Sequence, residues 1–76
     1  MPRDAPFDEQ LRETHDFAQT LMGLAVPVAT ARAVERGFLV RRIGPTYDQA
    51  MTADLRADRI TLDCSADDIV QRATAG

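Results

Sequence analysis

Apolar residues at Phe7, Leu11, Ala18, Leu21 and Met22 recur at helical spacing and place a helix over Asp8 to Met22, with Asp8 as N-cap and Glu9 in the first turn. Gly23 punctuates the chain, and Pro27 fits the first turn of a second helix from Val26 to Arg36. Val26, Ala29, Ala33 and Val34 share one face of that helix, and Arg36-Gly37 ends it, with a cation near the dipole and a glycine free to adopt positive φ. Phe38 to Ile43 reads as a strand that Gly44-Pro45 terminates. After a long polar stretch, Ile60, Leu62 and Cys64 alternate with Arg59, Thr61 and Asp63, the period-two pattern of a strand with one apolar face. Ser65 to Asp68 makes a turn, and Ile69 to Ala75 is a last short strand.

Two strands joined by the long loop are expected to be parallel, and the last to run antiparallel. The fold class is therefore α+β: one main helix packed on a small mixed sheet, a long exposed loop between two parallel strands, and an extra N-terminal helix. Residues 1–7, with two prolines and mixed charges, are expected to be a disordered N-terminus, and residues 8–76 a single domain.

A chain of 76 residues buries only about 60% of the surface its unfolded form exposes, so the core must be small. Aromatics make up 5% of the chain and Trp is absent, which leaves Val, Ile, Leu, Ala, Met and three Phe to build that core. The net charge is -3, and no basic stripe with interleaved aromatics appears, which argues against nucleic acid as a partner. The longest apolar run, Leu21 to Ala29, is broken by Gly23 and Pro27 and falls far below the ~20 residues of a membrane span, so no membrane partner is expected. The start Met1-Pro2-Arg3-Asp4 lacks a signal-peptide pattern, giving a cytoplasmic expectation, or a secreted one if a leader has been removed.

One cysteine cannot form an internal disulfide, and Cys64, on the apolar side of its strand, is assigned to the core. His15 beside Asp16 has no suitably placed nucleophile and cannot make a metal site alone, so it reads as a surface histidine. There is no phosphate loop, metal-ligand cluster or repeat. The chain is not expected to be an enzyme, and no metal or cofactor is implied.

The candidate chemistry lies in residues 51–60. Thr52 and Asp54 flank Ala53, and in extended chain their side chains point to one side. If that side faces Arg59, a guanidinium can donate to the hydroxyl and the carboxylate together and hold the Ala53-Asp54 bond rigid. The alternative is a simple turn at Asp58 and Arg59, with Thr52 and Asp54 solvated.

Thr52-Ala53-Asp54-Leu55-Arg56-Ala57-Asp58-Arg59-Ile60 resembles the reactive-site loop and following strand of the potato inhibitor I family, to which eglin and the chymotrypsin-inhibitor type belong. Leu21-Met22-Gly23 and the alanine-rich helical segment look like that family's Leu-Val-Gly and helix. Asp68 to Arg72 and terminal Gly76 look like its last strand and glycine, so the resemblance covers about three quarters of the chain, Leu21 to Gly76. Two departures stand out: the position of a second bracing arginine is Thr61, and Ala75 replaces the cysteine that bacterial relatives often carry before the final glycine. The register from Arg41 to Ala50 also differs, with a slightly short helix and a slightly long loop entry.

The resemblance implies a reversible, substrate-like inhibitor of serine proteases. Its binding loop would be Met51, Thr52, Ala53, Asp54, Leu55 and Arg56, braced by Thr52, Asp54 and Arg59. Ala53, filling the primary pocket with one methyl, implies a subtilisin- or elastase-like partner. The alternative from a different class is a non-inhibitory protein-binding module on the same fold, docking to a partner or to itself. The expected state is a monomer or weak homodimer.

Overall fold

The computed structural model describes residues 6–45, 47 and 56–76. It contains two helices, α1 (Phe7–Gln19) and α2 (Val26–Glu35), and three strands, β1 (Leu39–Ile43), β2 (Arg59–Cys64) and β3 (Val70–Ala75). The sheet order is β1-β2-β3, with β1 parallel to β2 and β2 antiparallel to β3. This is the small α+β arrangement that the hydrophobic pattern requires.

Helix α1 opens at Phe7, one residue before the expected start. The N-cap position belongs to Pro6 rather than Asp8, and Pro6 makes no side-chain cap. Asp8 instead joins Glu9 in the first turn, where a carboxylate still complements the dipole. The helix ends at Gln19 rather than Met22 because the chain is pulled onto β3. The Gly23 amide donates to the Val70 carbonyl at 2.8 Å, and the Val70 amide donates to the Leu24 carbonyl at 2.9 Å. Gly23, at φ 83°, supplies the turn that this geometry requires.

Helix α2 begins with Pro27 in its first turn and ends in a Schellman motif. The Phe38 amide donates to the Ala33 carbonyl and the Gly37 amide to the Val34 carbonyl, with Gly37 at φ 88°. Val34, expected on the buried face, is 59% exposed; the face turned to the sheet carries Val26, Ala29 and Ala33. Phe38, expected to open the first strand, lies just before β1. Its ring stacks on Phe17 at 5.2 Å between centroids, and the Arg36 guanidinium lies 4.6 Å from the Phe17 ring centre.

The core is a continuous cluster of Ala18, Leu21, Val26, Ala29, Ala33, Ile60, Leu62, Cys64, Val70 and Ala73. Ile60, Leu62 and Cys64 therefore occupy the apolar face that their alternation implied, and the Cys64 thiol is buried. Ile69 is exposed and belongs to an isolated bridge with Ala25 rather than to β3, and its amide donates to the Ser65 hydroxyl of the preceding turn. Helix α1 lies against β3, whose Ala73 carbonyl accepts a bond from Gln19 Nε2 at 2.8 Å.

Gly44, the first residue after β1, is buried at φ 146°, and a β-carbon there would sit 2.3 Å from the Cys64 carbonyl oxygen. Gly44→Ala is therefore expected to lower stability by at least about 2 kcal/mol in denaturant titration, through the clash and the backbone strain together. Cys64 should label only slowly in the folded protein, since burial also raises the pKa of its thiol. The substitution should speed that labelling; equal rates in both proteins would place the contact elsewhere.

Candidate functional site

Because β1 and β2 are parallel, with Leu39 opposite Arg59 and Ile43 opposite Asp63, the connection between them leaves the sheet at one end and re-enters it at the other. Met51, Thr52, Ala53, Asp54 and Leu55, five of the expected loop residues, lie outside the described residues. The bonds expected from Arg59 to Thr52 and Asp54 therefore lie outside them as well. Arg56, Arg59 and both ends of the connection are described.

At the exit, Ala57 is 6% exposed and its carbonyl accepts a hydrogen bond from the Thr14 hydroxyl at 2.5 Å. The next carbonyl, of Asp58, accepts from the Leu39 amide at 2.9 Å. Two successive carbonyls ahead of β2 are thus held by two different elements. Arg56 forms a fork with Asp58, Nε to Oδ1 at 3.0 Å and Nη2 to Oδ2 at 3.1 Å. Asp58 is consequently an ion-pair partner of Arg56 as well as a turn residue.

Arg59 is half-buried at the start of β2, and alternation with Ile60 sends its side chain away from the helices. That outer sheet face carries a shallow recess lined by Arg41, Ile43, Thr61, Asp63, Arg72 and Thr74, with Gly76 at its rim. The Gly76 amide donates to the Arg59 carbonyl at 2.7 Å, and the Thr61 hydroxyl donates to the Gly76 backbone oxygen at 2.5 Å. Thr61, which stands where the resemblance would place a second arginine, thus holds Gly76 in place beside Arg59.

At the entry, the Tyr47 amide donates to the Gly44 carbonyl at 3.1 Å, and its phenol donates to Asp68 Oδ1 at 2.7 Å. Donation to Asp68, reinforced by burial and by the aspartate's charge, raises the Tyr47 pKa. The Arg42 guanidinium lies 5.1 Å from the centre of the Tyr47 ring. Asp68 sits at φ 63°, and its carbonyl accepts from the Val26 amide at 2.9 Å. One turn residue thereby joins the loop entry to the start of α2.

Thr14, Tyr47, Ala57 and Asp68 were not singled out from the sequence. Thr14 had a readable signal, since it falls three residues after Leu11 and four before Ala18, on the apolar stripe of α1. Among the described residues, no group of three His, Cys, Asp or Glu side chains could hold a metal ion, and no helix is long and apolar enough to cross a membrane. His15 is exposed and lies 3.4 Å from Gln19 Nε2. No family model, characterised protein or solved structure matches the chain.

The hydrogen bonds from Arg56 hold the Asp58 carboxyl below the usual aspartate range; the small cost of burial acts in the opposite direction. A depressed pKa means that the pair stabilises the folded protein at neutral pH and that this contribution disappears as acid protonates Asp58. Both side chains are about half exposed, so the contribution is at most about 0.5 kcal/mol. Carbon-13 titration of the Asp58 carboxyl should give a midpoint below that of an ordinary aspartate, moving upward in Arg56→Gln. A midpoint indifferent to that substitution would remove the pair from the site.

Proposed function

We propose that the chain is a reversible, substrate-like inhibitor of serine proteases with subtilisin- or elastase-like specificity, presenting Met51 to Arg56 to the enzyme. The observation that carries this reading is the double hold on the exit, where the carbonyls of Ala57 and Asp58 are bonded to α1 and β1 immediately after the residues that would enter the cleft. The placement of Arg59 at the base of the connection, with Gly76 fixed beside it, also fits a bracing role. A loop ordered before binding loses little entropy when it docks as an extended strand.

In the proposed reaction the protease serine adds to the Ala53 carbonyl, and the tetrahedral species collapses with cleavage of the bond to the Asp54 nitrogen. The protease's base, having taken the serine proton, delivers it to that nitrogen, leaving an ester on the enzyme and a new amine on the inhibitor. Because the segment after Asp54 stays anchored, the amine remains near the ester and attacks it again more readily than water does. The bond is remade and the complex persists.

Arg59→Ala is expected to turn the inhibitor toward a substrate, with more loop cleavage in mass spectra of the protease mixture and a smaller loss of stability than of inhibition. An intact loop with unchanged inhibition would show that Arg59 is not the brace.

Residue 53 should set the choice of enzyme. A single methyl fits a shallow primary pocket, whereas a deep apolar slot loses buried methylenes at ~0.8 kcal/mol each and an acidic pocket keeps an unpaired charge. Ala53→Leu should move preference toward chymotrypsin-like enzymes and Ala53→Arg toward trypsin-like ones, read as inhibition constants against one panel of four proteases. If the ranking does not follow residue 53, the reading fails, and a non-inhibitory binding module takes its place.

A further inference from the structure

The Thr14 side chain is fully buried, so its hydroxyl has no access to water. A threonine in a helix can return its hydroxyl to a carbonyl of its own preceding turn. Thr14 instead donates to Ala57, 43 residues further along the chain. Ala57 is not part of β2, which begins at Arg59, so strand pairing does not fix its position. Its methyl is buried and its carbonyl has this partner, while the following carbonyl is bonded to the Leu39 amide. The contact joins α1 to the exit of the connection between β1 and β2.

We infer that Thr14 is a positioning residue for the inhibitory loop, which makes α1 a working part of the inhibitor; this inference rests on the protease-inhibitor reading above. After cleavage between Ala53 and Asp54, the new amine lies three residues before Ala57. The Thr14 bond sets how far that amine strays from the ester. Losing the bond favours hydrolysis over religation, while the residues that first occupy the protease cleft are unchanged.

The test compares full-length wild type with Thr14→Val, which removes the donor while keeping the shape, and Thr14→Ser, which restores the hydroxyl. Leu11→Ala serves as a packing control on the same helix face. Loop hydrolysis by subtilisin is followed by mass spectrometry, and amide hydrogen exchange is read at Leu39, whose N–H donates to Asp58. Thr14→Val should be hydrolysed roughly tenfold faster, the scale of one lost buried hydrogen bond. Its Leu39 amide should exchange faster while the Leu62 amide does not, and Thr14→Ser should behave as wild type. Equal acceleration in Leu11→Ala would reduce Thr14 to a packing residue and overturn the inference, as would wild-type behaviour of Thr14→Val. Should Thr14→Val not fold, Thr14→Cys, with its weak thiol donor, is read in the same way. If wild type inhibits no protease of the panel, the inhibitor reading falls and takes the loop-positioning role with it. Leu39 exchange then decides separately whether Thr14 anchors Ala57.

Discussion

Parallel pairing of β1 with β2 is the constraint on which the rest of the molecule depends. An antiparallel pair could be closed by a tight turn, whereas a parallel pair obliges the chain to leave one end of the sheet and re-enter at the other. The chain ties down both described ends of the connection. It recruits the β2–β3 turn at the entry, through Tyr47 and Asp68, and α1 at the exit, through Thr14.

The core that supports these anchors is built from small residues where the helices meet the sheet. Ala18, Ala29, Ala33 and Ala73 are fully buried and allow close approach, while Leu21, Ile60 and Leu62 supply most of the bulk. A buried hydroxyl in such a core costs on the order of 1–3 kcal/mol when left unsatisfied. Thr14 meets that requirement with a carbonyl that would otherwise need a partner of its own, so one bond satisfies two groups. The charged side chains Arg41, Asp63 and Arg72 are kept to the opposite face of the sheet.

What could be read from the sequence was what short-range pattern encodes. The alternation of Ile60, Leu62 and Cys64 fixed the inner face of β2, and Pro27 and Gly37 bracketed α2. Val34 was misplaced because the apolar residues of α2 form a stripe wider than the contact face, and three small residues fill that face without it. The Asp8 cap failed because Pro6 already presets a dihedral suited to helix entry. The anchors were hidden for a different reason. Tyr47–Asp68 and Thr14–Ala57 join residues 21 and 43 positions apart, and no local periodicity reports such a pairing. The positive φ of Asp68 was likewise invisible, since aspartate tolerates that conformation without requiring it.

The stitching of α1 to the second half of the chain bears on how the protein is made. Gln19 waits for Ala73, Gly23 and Leu24 wait for Val70, and Thr14 waits for Ala57, so α1 is secured by residues synthesised well after it. Pairings of such long sequence separation are reached slowly, because loop closure is paid before the contacts repay it. During translation, the apolar stripe of α1 and the backbone around residue 57 stay open until β3 arrives. A chain not yet joined by β3 offers a protease the backbone of Gly23 and Leu24, which the folded protein keeps paired with Val70.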